Sequence, residues 1–193
     1  MTSMMRSDSA GNVYEVWAQE QAASCAVASI WMARNQALQM TLNQGEWALA
    51  WQMYGQVVQG MALIPSPPAG QCLDPSAYKS DQKSFGDMFA KFGTYMDQVA
   101  TKLALDGLSV TSSVGTMVDV SQLSDTSPAI ILLGWYSGGK RVGGHFIVAS
   151  SVTQSGKVVY LDPWGGNLNE LGVGPAYPGG GQFEDIRFVS ASD

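Results

Sequence analysis

The 193-residue sequence predicts an α+β domain, helical in its first half and built on an antiparallel sheet in its second. Apolar residues recur at helical spacing before Gly107, and short β-rich runs replace them after it. Thirteen of the 22 glycines lie from Gly134 onward, where closely spaced strands need turns. The length corresponds to about one domain. Residues 1–193 therefore read as a single unit, with a helical part over about 17–106, a sheet part over about 107–190 and a flexible segment at 1–11. No internal repeat, heptad array or low-complexity tract breaks this division.

The first helix is expected over residues 25–40, where Ala26, Ile30, Ala33 and Ala37 form one stripe with Val27, Trp31 and Leu38 beside it. Ser24 is a suitable N-cap, which places Cys25 in the first turn. A second helix is expected from about Leu42 to Leu63, with Trp47, Ala50, Trp51, Tyr54, Val57, Val58 and Met61 on one side. Pro65-Ser66-Pro67-Pro68 cannot continue it and opens a loop over 65–78. A third helix is expected over about Lys83–Leu105, with Phe85, Met88, Phe89, Phe92, Met96 and Val99 at helical spacing. Strands follow at Leu108–Val110, Ala129–Trp135, Phe146–Ala149, Val158–Leu161 and around Ile186–Phe188.

Composition narrows the function. Hydrophobic residues make up 46% of the chain and charged residues 13%, which excludes a disordered chain of low hydrophobicity and high charge. Ten Lys and Arg against sixteen Asp and Glu give a net charge of −6, the opposite of the basic footprint of a nucleic-acid binder. Two cysteines cannot build a disulfide-rich scaffold or a four-cysteine zinc site. The single histidine, His145, excludes multi-histidine metal centres and obliges any imidazole chemistry to use that residue; no metal or cofactor is expected. Met1–Gly11 holds one Arg and no apolar h-region, unlike a secretory signal. The longest uncharged apolar stretch, Trp47–Ile64, is broken by Gln52, Gln56, Gln59 and two glycines, so no membrane insertion is expected. A soluble chain follows, either cytoplasmic or exported into a target cell by a route that needs no such signal.

Four candidate groups carry chemistry. A thiolate is the reactive form of cysteine, and the amide dipoles of a helix start favour it, which suits Cys25 to a nucleophile. A buried structural cysteine, or a disulfide with Cys72 in the Pro/Gly loop, are the other readings of Cys25. His145 opens an apolar strand after Gly143-Gly144; the pair either clears space beside the ring or forms a hairpin turn. Asp162 follows the next strand, 17 residues on, with a turn near Gln154-Ser155-Gly156 between them. An antiparallel pair of that length brings Asp162 beside His145, where a carboxylate accepts the imidazole N–H; otherwise Asp162-Pro163 only starts a turn. Gln19, six residues before Cys25, can donate to a developing oxyanion together with the Cys25 N–H, with Gln21 as a rival. Trp164 either covers the His145–Asp162 contact or is a core aromatic. Gly179-Gly180-Gly181 reads as a loop.

Taken together, Gln19 through Cys25 with the following Ala26-Val27-Ala28-Ser29, then Gly144-His145-Phe146-Ile147-Val148, then Asp162-Pro163-Trp164-Gly165, resemble the papain-like cysteine peptidases. The patches are most similar to the type III effector cysteine proteases of bacteria and to the peptidase domains of bacteriocin-exporting transporters. As an ordered skeleton the resemblance spans about residues 17–166, although the matches themselves are three short patches. It implies a papain-like fold, with the nucleophile at a helix start packed on the sheet, and a protein or peptide substrate. It also implies a Cys25–His145–Asp162 triad with Gln19 at the oxyanion, used for peptide hydrolysis. Glutamine deamidation and acyl transfer to an amine use the same apparatus, and a silent binding module on a peptidase-like scaffold is the non-enzymatic alternative.

Between Gln21 and Leu73 only Arg34 and Glu46 are charged. Either both helices there are buried, or the Trp47, Trp51, Tyr54 and Met61 face within 42–64 meets a partner such as an inhibitor or immunity protein.

Overall fold

Alternation of apolar side chains along the second half of the chain builds the main sheet. The structure, a computed structural model, describes residues 2–41, 44–46, 48–50, 52 and 94–192. In chain order its elements are β1 (Thr2–Ser7), β2 (Val13–Ala18), α1 (Cys25–Leu38), α2 (Met96–Leu105), β3 (Leu108–Ser112), β4 (Ala129–Ser137), β5 (Lys140–Val152), β6 (Val158–Asp162), β7 (Asn167–Leu171), β8 (Ala176–Tyr177) and β9 (Gly181–Ala191). Seven strands form one sheet in the order β3-β9-β4-β5-β6-β7, with β8 paired to β9, and every pairing is antiparallel. The period of two sends Ile130, Phe146, Val148, Val159, Leu161 and Val189 into a core shared with α1. Ile131, Leu133, Ile147, Val158, Tyr160 and Ile186 fill a second core instead. The molecule is thus a mixed α+β structure in which sheet predominates.

The described helices differ from the expected ones. The stripe on α1 reads as amphipathic and the low charge of the stretch from Gln21 to Leu73 leaves burial or a partner face open; residues 25–34 are all buried. The cause is a β1–β2 hairpin in the segment where the sequence pattern predicts no element and residues 1–11 read as flexible. It lays Trp17 flat on Trp31, with ring centroids 3.6 Å apart, so α1 is covered on sides that its stripe leaves open. Turn chemistry holds the hairpin. Asp8 Oδ1 accepts the N–H groups of Ala10 and Asn12, both at 2.9 Å, and Gly11 takes a φ of 87° that glycine alone adopts without strain.

The helix expected over 83–105 is cut at Tyr95, which is extended (φ −104°, ψ 152°); α2 begins at Met96. Gln98 Oε1 accepts the Tyr95 N–H at 2.9 Å and caps the new start, after a Gly93-Thr94 pair of low helix propensity. Residues 83–93, most of the helix expected over 42–63, the 65–78 loop with Cys72, and Trp47, Trp51, Tyr54 and Met61 lie outside the described residues. Arg34 of α1 and Lys102 of α2 share Asp106, Arg34 at 3.3 Å, and so join the two helices. No helix among the described residues is long and apolar enough to cross a membrane.

Candidate active site

Two hairpin turns bring the sheet's contribution together. The β4–β5 connection runs through Gly138 and Gly139, both at positive φ. Gly143 and Gly144 are therefore not the turn but lie within β5, opposite Trp135 and Gly134. A Cβ on Gly144 would stand 3.2 Å from the Leu133 carbonyl oxygen and against the Arg141 guanidinium, so the position before His145 has room for hydrogen only. The β5–β6 turn closes with Thr153 N–H donating to Lys157 at 2.7 Å, and with Gly156 at φ 79°. Antiparallel pairing of β5 with β6 then sets Val148 opposite Leu161, and His145 and Asp162 meet at the strand ends.

His145 Nε2 lies 2.6 Å from Asp162 Oδ1, and both side chains are buried. Cys25 faces the same ring closely enough to bear on its charge. Burial works against a charge on the imidazole, but the bond to Asp162 and the facing Cys25 outweigh it, and the pKa rises from 6.5 to about 9. The ring thus holds its proton at neutral pH. Asp162 is itself held from three directions: besides His145, Oδ1 accepts the Trp164 N–H at 2.8 Å, and Oδ2 accepts the Tyr177 hydroxyl at 2.8 Å. Tyr177 in turn accepts from Asn169 Nδ2 at 2.9 Å. Its own pKa is driven far upward by burial and by the neighbouring carboxylate, so the hydroxyl stays a donor. The indoles of Trp135 and Trp164 flank the imidazole at centroid distances of 5.7 and 6.2 Å. Trp164 stands edge-on to His145 and is 63% exposed, so it is not a core aromatic.

Cys25 is the first residue of α1, a free thiol, and buried. Ser24 occupies the N-cap position, but its hydroxyl does not cap the helix. Instead Ser24 Oγ donates to the Gln21 carbonyl at 3.0 Å and accepts the Gln21 N–H at 3.1 Å, closing the loop that delivers Cys25. Gln19 Nε2 donates to the carbonyls of Gln21 at 2.9 Å and Ala22 at 3.1 Å, so its amide hydrogens are spent on its own loop. The Gln19 backbone N–H donates to Pro163 at 2.9 Å, and Arg6 Nε of β1 donates to Gly166 at 2.8 Å. The N-terminal hairpin thereby ties the loop before Cys25 to the turn after Asp162. Glu46, buried nearby, accepts the Glu20 N–H at 2.8 Å.

Of the four residues singled out in the sequence, Cys25, His145 and Asp162 are brought together, and Gln19 reaches the same region with its amide turned onto its own loop. Tyr177, Asn169 and Trp135 escaped the sequence reading. Tyr177 sits on a two-residue strand after a loop, and its nearness to Asp162 arises only from the β6–β7 and β8–β9 pairings. No family model and no curated protein sequence matches the chain.

Proposed function

We propose that the chain is a thiol-dependent hydrolase of papain-like type, cleaving peptide bonds through Cys25, His145 and Asp162. The observation that carries this reading is the buried cluster of three groups: a helix-start thiol facing the imidazole, and a fully hydrogen-bonded carboxylate on its Nε2. A cationic imidazole beside a thiol favours the thiolate. The Cys25 sulfur attacks the substrate carbonyl carbon, and the carbonyl π-electrons move onto oxygen. A helix start leaves its first N–H groups without intrahelical partners, so the Cys25 N–H is placed to receive that oxyanion. Gln19 joins it once its amide turns from the Gln21 and Ala22 carbonyls. Collapse of the tetrahedral intermediate breaks the C–N bond, and the departing amine takes the imidazolium proton. Water then attacks the thioester while neutral His145 accepts its proton; the acid product leaves and the thiolate–imidazolium pair is restored. Asp162 keeps the ring aimed throughout.

The test is chemical. A thiol-directed epoxide or chloromethyl ketone at neutral pH is expected to label Cys25 quickly, as mapped by mass spectrometry, and the labelling is expected to disappear in His145→Ala. Equal labelling of Cys25 and Cys72, or no labelling of Cys25, removes the reading. Peptide release from denatured protein, lost in Cys25→Ala, supports peptidase action; ammonia release in its place assigns the site to deamidation.

A further inference from the structure

Resting on that reading, a cavity of about 540 Å3 beside His145 bears on what the site cleaves. It is lined by His145 and Asp162, by Trp135, Trp164 and Tyr177, and by Asn167 and Asn169, but by no residue of α1 or of the loop before Cys25. It therefore extends past the imidazole rather than over the thiol. In acyl transfer the imidazole protonates the departing amine, so the part of the substrate carried by that amine lies on the His145 side. We propose that this cavity receives the side chain on the amine side of the scissile bond, and that it selects a large, flat, uncharged side chain carrying a polar hydrogen-bonding group.

Three observations define that class. Among the described residues no lysine, arginine or glutamate lines the cavity, and both oxygens of the one carboxylate among them, Asp162, are already taken by His145, Trp164 and Tyr177. A charged occupant finds no counter-charge and loses its water. The indoles of Trp135 and Trp164 on either side of His145 offer stacking surfaces to a flat group. Asn167 Nδ2 donates to the Trp164 carbonyl at 2.7 Å and Asn169 Nδ2 to Tyr177 at 2.9 Å, and each amide keeps its oxygen and a second N–H for a polar group on the occupant. Tryptophan, tyrosine and glutamine side chains meet all three conditions. The same argument separates the reactions. In glutamine deamidation the departing group is ammonia, which leaves this cavity without an occupant; peptide cleavage, or acyl transfer to a bulky amine, fills it.

Partitioning of the acyl-enzyme tests this. The full chain is acylated with the p-nitrophenyl ester of an N-blocked glycine, and the p-nitrophenol burst reports acylation of Cys25. Amides of tryptophan, tyrosine, glutamine, glycine, glutamate and lysine are then supplied as competing nucleophiles, and the ratio of aminolysis to hydrolysis is read by chromatography. Tryptophan amide is expected to capture the acyl group about 10-fold or more better than glycine or glutamate amide, the scale set by burying one aromatic side chain. That preference is expected to shrink to about 2-fold in Trp135→Ala, whose ratio is internal to whatever acyl-enzyme the variant forms. In Asn167→Leu, tryptophan and glutamine amides are expected to lose ground against phenylalanine amide, which has no polar group in its side chain. A burst with equal capture of tryptophan and glycine amides overturns the cavity's role and leaves the hydrolase reading standing. A burst that is absent, or that survives in Cys25→Ala, overturns the hydrolase reading and this inference with it.

Discussion

The imidazole–carboxylate half of the site stands on neighbouring strands of one sheet, whereas the thiol half stands where a loop meets a helix. On the sheet side the ladder between β5 and β6 sets the separation, and Asp162 is pinned by His145, the Trp164 N–H and Tyr177. On the helix side, Cys25 is delivered by a loop that Ser24 and Gln19 close upon itself and that Glu46 and Pro163 hold from outside. Gln19 Oε1 is buried there without a hydrogen-bond partner among the described residues. A buried acceptor left unsatisfied costs about 1–3 kcal/mol, and an acceptor in that state gains by moving. On the proposed reading the sheet half is thus assembled in advance of a substrate, and the loop half has something to gain when one binds. Substitutions in the sheet half are expected to act on charge and aim, those in the loop half on rearrangement.

Asp162→Asn is the largest of these effects. It removes the carboxylate whose bond, together with Cys25, outweighs burial at His145, and kcat/KM for peptide hydrolysis is expected to fall on the order of 10^3-fold. It also carries a signature in pH. With the ring's pKa at about 9, amide hydrolysis by the wild type is expected to decline as pH rises through 9, because the leaving amine loses its proton source. In Asp162→Asn that decline is expected at lower pH. Stability follows the same sign. The folded pKa lies above the unfolded 6.5, so the contribution is present below 6.5 and is lost as pH rises toward 9. Thermal melts across that window are expected to slope downward in the wild type and to flatten in Asp162→Asn. An unmoved limb would mean that Asp162 orients the ring without charging it.

Gln19→Ala probes the other half. If the amide turns toward the oxyanion during reaction, the loss in kcat is expected to approach about 10^2-fold, the scale for one oxyanion donor. Because the loop bonds to Gln21 and Ala22 are lost as well, melting temperature falls too. A stability loss with kcat unchanged would show that Gln19 only braces the loop. Tyr177→Phe is smaller, about 10-fold in kcat or less, roughly the worth of one hydrogen bond to a charged group. It leaves the carboxylate's charge in place, so the alkaline limb is not expected to move down as it does in Asp162→Asn. That separation of rate from pH profile distinguishes aiming from charging.

The same contrast explains what could be read from sequence. Strands β4, β5, β6 and β9 announce themselves through β-branched apolar runs such as Ile130-Ile131 and Val158-Val159, and the His145–Asp162 spacing follows from a hairpin of ordinary length. The position of Cys25 at a helix start is legible from Ser24 and the apolar stripe that follows it. Tyr177 was illegible because its strand has two residues and no periodicity, and its partner lies 15 positions away across two turns. The hairpin at 2–18 was missed for a different reason. Met4-Met5 and Arg6 do not alternate cleanly, and the signal that was present, Asp8 to Asn12 around Gly11, is turn chemistry that implies two strands without naming them. Burial of α1 on nearly every side could not follow from its own stripe, since the residue that covers Trp31 is Trp17.

Glu46 gives the mildest and most local test of the loop half. It is one of two charges between Gln21 and Leu73 and is buried against the loop that delivers Cys25. Burial raises its pKa above 4.5, while Ser24 and the Glu20 N–H pull the other way. A carboxyl group whose folded pKa is raised contributes stability fully below its unfolded value and loses it as pH climbs through the folded one. The ionised group therefore burdens the fold at neutral pH. Glu46→Gln keeps an oxygen for the Glu20 N–H and removes the charge. Its melting temperature is expected to exceed the wild type's by about 2 °C at pH 8, the shift that under 1 kcal/mol produces in a domain of this size. The gap is expected to close as pH falls to 4.5, where the wild-type carboxyl is protonated. Glu46→Gln melting below the wild type at every pH would reverse the argument: the carboxylate's bonds to the loop would then outweigh its burial, and the thiol half would be held by charge as firmly as the sheet half.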